Sequence, residues 1–183
     1  MMYLSKGLLV QETGGDFCVS HGGRLFVLGH EMAALWSAAR LAPQAVPDAK
    51  AHYIERLRQS GLAVTTEEAD DLANYRLLCG CIICPDPEGA GADTGLDGRV
   101  WTWLQRAGLR LTASELICLE ELGIKPAPDL LGEDGRQNLT ERIYDRDTIS
   151  DGALEARMEQ SPARDALVAS LLRLLRAGSL FLI

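Results

Sequence analysis

Two pairs of adjacent glycines, Gly14-Gly15 and Gly22-Gly23, divide the first 28 residues into three short apolar runs. These are "GLLVQE" (7–12), "FCVS" (17–20) and "RLFVL" (24–28). Adjacent glycines supply the positive φ angles that tight hairpin turns require. The pattern predicts a three-stranded antiparallel β-meander, and the rest of the chain must fold around it.

The following segment changes period. In "GHEMAALWSAARL", Met32, Leu35, Trp36 and Ala39 recur at helical spacing, which predicts an amphipathic helix over about 30–41. "APQAVP" interrupts it, because proline disfavours a helical residue before it. Pro47-Asp48 opens a second helix that runs through Tyr53, Ile54 and Leu57 to Gly61, a typical terminator. "LAVT" (62–65) reads as a strand, and "YRLLCGCIIC" (75–84) as another. The acidic excursion between them gives the pair the look of a wing, with Glu67, Glu68, Asp70 and Asp71 as a solvated loop rather than a cation site. "PDPEGAGADTGLDG" (85–98) then reads as a linker between domains 1–84 and 99–183.

The second half is mainly helical. Val100, Trp101, Trp103 and Leu104 begin a short apolar helix. Thr112-Ala113-Ser114-Glu115 forms a capping-box pattern ahead of "LICLEEL", predicting a helix over 113–122 that ends at Gly123. "IKPAPDLLGEDG" is loop, while "RQNLTERIYD" and "DGALEARMEQ" are helical. Ser161-Pro162 opens the last helix with a capping residue and a proline at the first helical position. Leu167, Val168, Leu171, Leu172, Leu174 and Leu175 form its apolar arc, with Asp165, Ser170, Arg173 and Arg176 opposite. Gly178 ends the helix and "SLFLI" is a closing strand.

Charge limits the partners. The chain carries 26 acidic and 18 basic side chains, a net charge of -8, spread evenly over both halves. That opposes non-specific attraction to nucleic acid or anionic membrane, so a duplex contact must rest on a local patch. No apolar run approaches the roughly 20 residues that cross a bilayer. The N-terminus lacks the pattern of a secretion signal, and five cysteines without such a signal read as reduced thiols of a cytoplasmic protein.

Three of those cysteines, Cys79, Cys81 and Cys84, lie within six positions. Read as a strand, 75–83 sends Cys79 and Cys81 to one face and Cys84 to the other. A metal ion would need Cys84 to turn back and a fourth ligand from Cys18, His21, His30 or His52. Structural zinc sites pair two separated knuckles, and only one irregular cluster exists here. The residues therefore read as a buried strand, with no metal and no cofactor. A redox Cys-x-x-Cys belongs at a helix N-terminus, whereas Cys84 is followed by Pro-Asp-Pro. His21 sits in a solvated glycine turn, His30 at a helix start and His52 on an exposed helix position. No nucleophile or orienting carboxylate is recognisable beside them, and the phosphate-loop, dinucleotide-loop and nucleophile-elbow motifs do not occur. The chain reads as non-enzymatic.

Two segments share a grammar. "HYIERLRQSGLAVT" and "SLLRLLRAGSLFLI" each run helix, small residue plus glycine, apolar strand. Each follows, at a distance, a helix with a bulky apolar face, carrying Leu35-Trp36 or Leu116-Ile117. This order resembles the winged-helix fold, in which the third helix turns directly into a wing strand. The resemblance implies an α+β, mostly helical protein of two winged-helix-like domains, the first with an N-terminal antiparallel β-meander. The segment "GGRLFVLGHEMAALWSAA" also resembles the peptide-binding winged-helix modules of peptide-modifying pathways, although their threonine-led middle helix is shortened here to "APQAVP". There a leader peptide adds a strand to the meander edge. By that resemblance Arg24, Leu25, Phe26 and Val27, with Tyr53 on the next helix, would form the groove.

These readings make the chain a regulatory protein. DNA binding is placed first, through Arg56 and Arg58 on one helix and Arg164, Arg173 and Arg176 on the other, since phosphate contacts need such side chains. The alternative is a protein- or peptide-binding adaptor on the same fold, with strand addition at the meander edge. In either case no membrane partner is expected, and a homodimer is compatible with the fold.

Overall fold

The computed structural model describes residues 1–68, 70, 72–106, 111–130, 132, 134–144 and 150–183. These form eight α-helices and three small three-stranded sheets, an α+β architecture. By its contacts the chain divides into two compact units, Met1–Cys81 with Phe181–Ile183, and Ile82–Leu180.

The first unit holds the expected meander, β2 (Leu8–Thr13), β3 (Asp16–His21) and β4 (Arg24–Leu28). Gly14, Gly15, Gly22 and Gly23 all have positive φ, as two-residue hairpin loops of this twist demand. The β3–β4 register is regular from Phe17 opposite Leu28 to His21 opposite Arg24. The β2–β3 register slips between Leu9 and Gln11, leaving Val10 as a bulge.

Helix α1 (His30–Ala38) follows and ends earlier than the expected 41. Residues 48–50 make a 3-10 turn into α2 (Ala51–Gln59). Trp36 lies under the sheet with no exposed surface. Its Nε1–H donates to the Lys6 carbonyl at 2.8 Å, and Phe17 meets its ring edge-on at 6.2 Å between centroids. Val19, Leu28, Leu35, Ile54, Leu57 and Leu62 complete this core.

A second sheet in this unit was not legible in the sequence. Strand β1 (Met2–Ser5) lies between the short β5 (Gln44–Ala45) and β6 (Ala63–Thr66), antiparallel to both. Two expectations are therefore corrected. Strand β6 pairs with β1 and not with the residues after it, so 62–65 and 75–84 form no wing. Residues 75–79 are helical, within α3 (Ala73–Cys79). Ahead of that helix Asp70 accepts the Leu72 N–H at 3.0 Å, and after it Lys6 Nζ donates to the Gly80 carbonyl at 3.0 Å. Tyr75, Leu77 and Leu78 are all buried on that helix. Ala69 and Asp71 of the acidic excursion lie outside the described residues.

A third sheet has β7 (Ile82–Pro85) as its central strand, flanked by β8 (Leu111–Thr112) and β9 (Leu180–Leu182). Pro85 thus ends a strand, and 95–98 already belong to α4 (Gly95–Arg106). The glycine-rich segment between them is held closely. Asp86 N–H donates to the Ser179 carbonyl at 2.8 Å, and a methyl on Gly91 would sit 2.3 Å from Trp101 Nε1.

The capping box opens α5 (Ala113–Glu121) as expected, with Glu115 N–H donating to Thr112 Oγ1 and Thr112 N–H to Glu115 Oε2. Helices α6 (Gly135–Ile143), α7 (Asp151–Met158) and α8 (Arg164–Arg176) follow, and all three are packed against α5. Asp145, expected at the end of α6, lies outside the described residues. The apolar arc of α8 is buried as expected, but Ser170 is buried with it and donates to Asp97 on α4.

The two segments of shared grammar have one local geometry. In α2 the Leu62 N–H returns to the Leu57 carbonyl, and in α8 the Ser179 N–H returns to Leu174. In each case a positive-φ glycine, Gly61 or Gly178, stands in between, the signature of a Schellman turn. Two of the three sheets, β5-β1-β6 and β8-β7-β9, have their first strand in the centre and the later two at its flanks.

Candidate functional site

Strand β4 is an edge. Among the described residues it has one neighbour, β3, so one row of its backbone N–H and C=O groups is left without a strand partner. Its side chains alternate. Leu28 is buried and Phe26 is packed against the core, while Leu25 and Val27 point to the other face, 66% and 74% exposed. Cys18 and Ser20 of β3 lie directly opposite Val27 and Leu25 in the register. Large aliphatics this exposed on a regular edge are costly to leave in water and prone to pairing. The other edge, β2, is blunted by the Val10 bulge and ends in the exposed Gln11 and Glu12.

Of the residues expected in a peptide groove, the structure brings Phe26 and Tyr53 to the same core, both partly buried. His52 stacks on Tyr53 with 4.0 Å between ring centroids. Arg24, Leu25 and Val27 are exposed along β4.

A groove of about 420 Å³ lies elsewhere in the same unit, between the β2–β3 hairpin and α1. Glu12, Gly15, Phe17, His30, Ala34 and Ala38 are among its lining residues. Sequence reasoning missed it, because the hairpin and the helix face that enclose it are far from one another in periodicity and carry no motif.

The arginines expected to contact DNA are largely engaged. Arg58 forks onto Glu55 through Nε and Nη2, both at 2.7 Å, and with Gln59 holds the Glu55 carboxyl down to about 2. Arg173 forks onto Asp97 at 3.0 and 2.7 Å, and holds that carboxyl below its usual range. Asp165, on the same helix, pairs instead with Arg164 at 2.8 Å. Arg164 also donates to the Glu159 carbonyl. Arg56 and Arg176 are exposed.

His21 is half-buried, not solvated as expected, and its Nδ1 has no hydrogen-bond partner among the described residues. Burial, helped by the charge of Lys6, lowers its pKa. Burial pushes the Cys81 thiol up to about 12, and its Sγ–H donates to the Leu77 carbonyl at 3.3 Å. Cys79 ends a helix and Cys84 lies on a strand, so the alternating-face picture of this cluster does not hold. Among the described residues no group of three or more His, Cys, Asp or Glu side chains is arranged to hold a metal ion. Glu115 is buried on α5 and bound by Arg136 at 2.7 Å and by the Tyr144 hydroxyl at 3.3 Å. Tyr144 donates more closely to Asp151, at 2.7 Å, and burial raises its pKa. Glu68 and Asp70 of the acidic loop pair with Arg76. No described helix is long and apolar enough to cross a membrane.

Comparison with protein-family models, with curated proteins and with solved structures finds no match to this chain.

Proposed function

We propose that this chain is a non-enzymatic adaptor that binds an extended peptide or protein segment by strand addition at β4. The observation that carries the reading is the edge itself. A regular strand exposes two aliphatic side chains on one face while Phe26 and Leu28 anchor it from the other. Added main-chain hydrogen bonds would supply affinity, and Leu25 and Val27 would select apolar residues at alternate positions of the partner. The winged-helix reading is supported by the helix–glycine–strand exits at Gly61 and Gly178 and by the central first strand of two of the sheets. DNA binding is the weaker reading, because Arg58, Arg164 and Arg173 are already neutralised by carboxylates and the chain carries -8.

The test is to pan a displayed library of random dodecapeptides on the immobilised protein and measure the selected peptides by fluorescence anisotropy. Selected binders should lose affinity about tenfold or more on Val27→Lys, since a lysine on an edge opposes pairing. Peptides that bind wild type and Leu25→Lys/Val27→Lys equally would refute the reading. Salt-sensitive binding of a random duplex, lost in Arg56→Ala/Arg176→Ala, would favour the DNA regulator instead.

A further inference from the structure

We propose that the groove between the β2–β3 hairpin and α1 receives a lysine or arginine side chain of the partner. The inference rests on the peptide-binding reading and specifies the partner's chemistry. The volume of about 420 Å³ lies in the range of clefts that hold ligands. Its walls are the Phe17 ring and one face of α1, where Ala33, Ala34, Ser37 and Ala38 occupy two successive turns. Side chains this small leave depth between helix and hairpin that larger ones would fill. The Phe17 ring is held edge-on against Trp36, so the wall is pre-formed.

Charge then selects the occupant. Glu12 is the one acidic side chain in the lining, exposed at the rim and without an ion pair among the described residues. The positive end of α1 would attract an anion, but its first turn already carries Glu31, bound to Lys50 at 2.7 Å. An anionic occupant would meet Glu12, and a purely apolar one would leave Glu12 and the lining polar groups of His30 and Ser37 without a partner. A long aliphatic stem ending in a cation satisfies both surfaces, with its methylenes on the alanines and Phe17 and its charge at Glu12.

The probe is Nα-acetyl-lysine methylamide, followed through the ¹³C-methyl resonances of Ala34 and Ala38 in the full-length chain. The norleucine analogue, which keeps the stem and lacks the ammonium, is the control. The lysine compound should shift both methyls saturably, and the norleucine compound should bind more weakly. Glu12→Gln should weaken the lysine compound about two- to fivefold, as an exposed ion pair does. Ala34→Leu should abolish the response of the remaining Ala38 methyl by filling the groove, with the circular dichroism unchanged because Ala34 is an exposed helix position. Equal binding of the two compounds, or no response at all, would overturn the inference. The two readings fail separately. A lysine response that survives while β4 substitutions leave peptide binding intact removes the edge reading alone, and peptide binding sensitive to Val27→Lys without a lysine response removes the groove alone.

Discussion

Replacing Trp36 by phenylalanine tests the packing that holds β4 in place. The indole has no exposed surface, donates to the Lys6 carbonyl at 2.8 Å and receives Phe17 edge-on. Phenylalanine keeps the ring contact and removes the donor, leaving the carbonyl to find another partner at a cost of about 1–2 kcal/mol. The indole exceeds a phenyl ring by roughly 35 Å³, which at about 24 cal/mol per Å³ of residual cavity adds about 1 kcal/mol. The expected loss is about 2–3 kcal/mol. With a urea dependence of about 1 kcal/mol per molar for a unit this size, the midpoint should fall by about 2–3 M. Pulsed hydrogen exchange across a urea series, read on peptides from Met1–Cys81, measures it where it acts. A loss below about 0.5 kcal/mol would show that the indole hydrogen bond and the fit around it do not hold this core, and the account of the first unit would be wrong.

Other consequences follow from single groups. His21 has a lowered folded pKa, so the unfolded chain binds more protons between that value and the ordinary 6.5. Stability should therefore be full above pH 6.5 and decline as the pH falls below it, and His21→Gln should flatten that part of a denaturation-midpoint profile. A His21→Gln profile with the wild-type slope would assign the dependence to another group. The Cys81 thiol, buried and shifted up to about 12, should react with an aromatic disulfide at pH 8 far more slowly than the half-buried Cys18, as mass-mapped labelling will show. Thr112→Ala should cost about 1 kcal/mol by removing the cap of α5, measured by thermal unfolding. Asp97→Asn should destabilise the second unit towards the level of wild type at acid pH, because Asp97 is held ionised by Arg173 and its contribution is lost as pH falls through its depressed pKa.

What the sequence disclosed was local. Paired glycines, a capping box and positive-φ helix exits each act within a few residues, so the meander, α5 and the ends of α2 and α8 could be read directly. The misreadings were non-local. Strand β1 is four residues long and becomes a strand only by pairing with β5 and β6, dozens of residues later. "YRLLC" reads as a strand beside "CIIC", but it lies in a helix flanked by Asp70, which accepts the Leu72 N–H, and by Lys6, 74 residues from Gly80, which donates to the Gly80 carbonyl. Ser170 looked like a polar-face residue until Asp97, 73 positions away, supplied its acceptor. The candidate site divides the same way. Leu25 and Val27 could be named from resemblance, together with Arg24 and Phe26, whereas the groove over Ala34 and Ala38 exists only once the hairpin and α1 are brought together.

Hydrogen exchange by NMR, with and without a library-selected dodecapeptide, tests strand addition most directly. The account predicts new protection of alternate backbone amides in Arg24–Leu28, those that face away from β3, with the rest of the sheet unchanged. Protection that appears on α2 or α8 while β4 exchanges as in the unbound protein would contradict it.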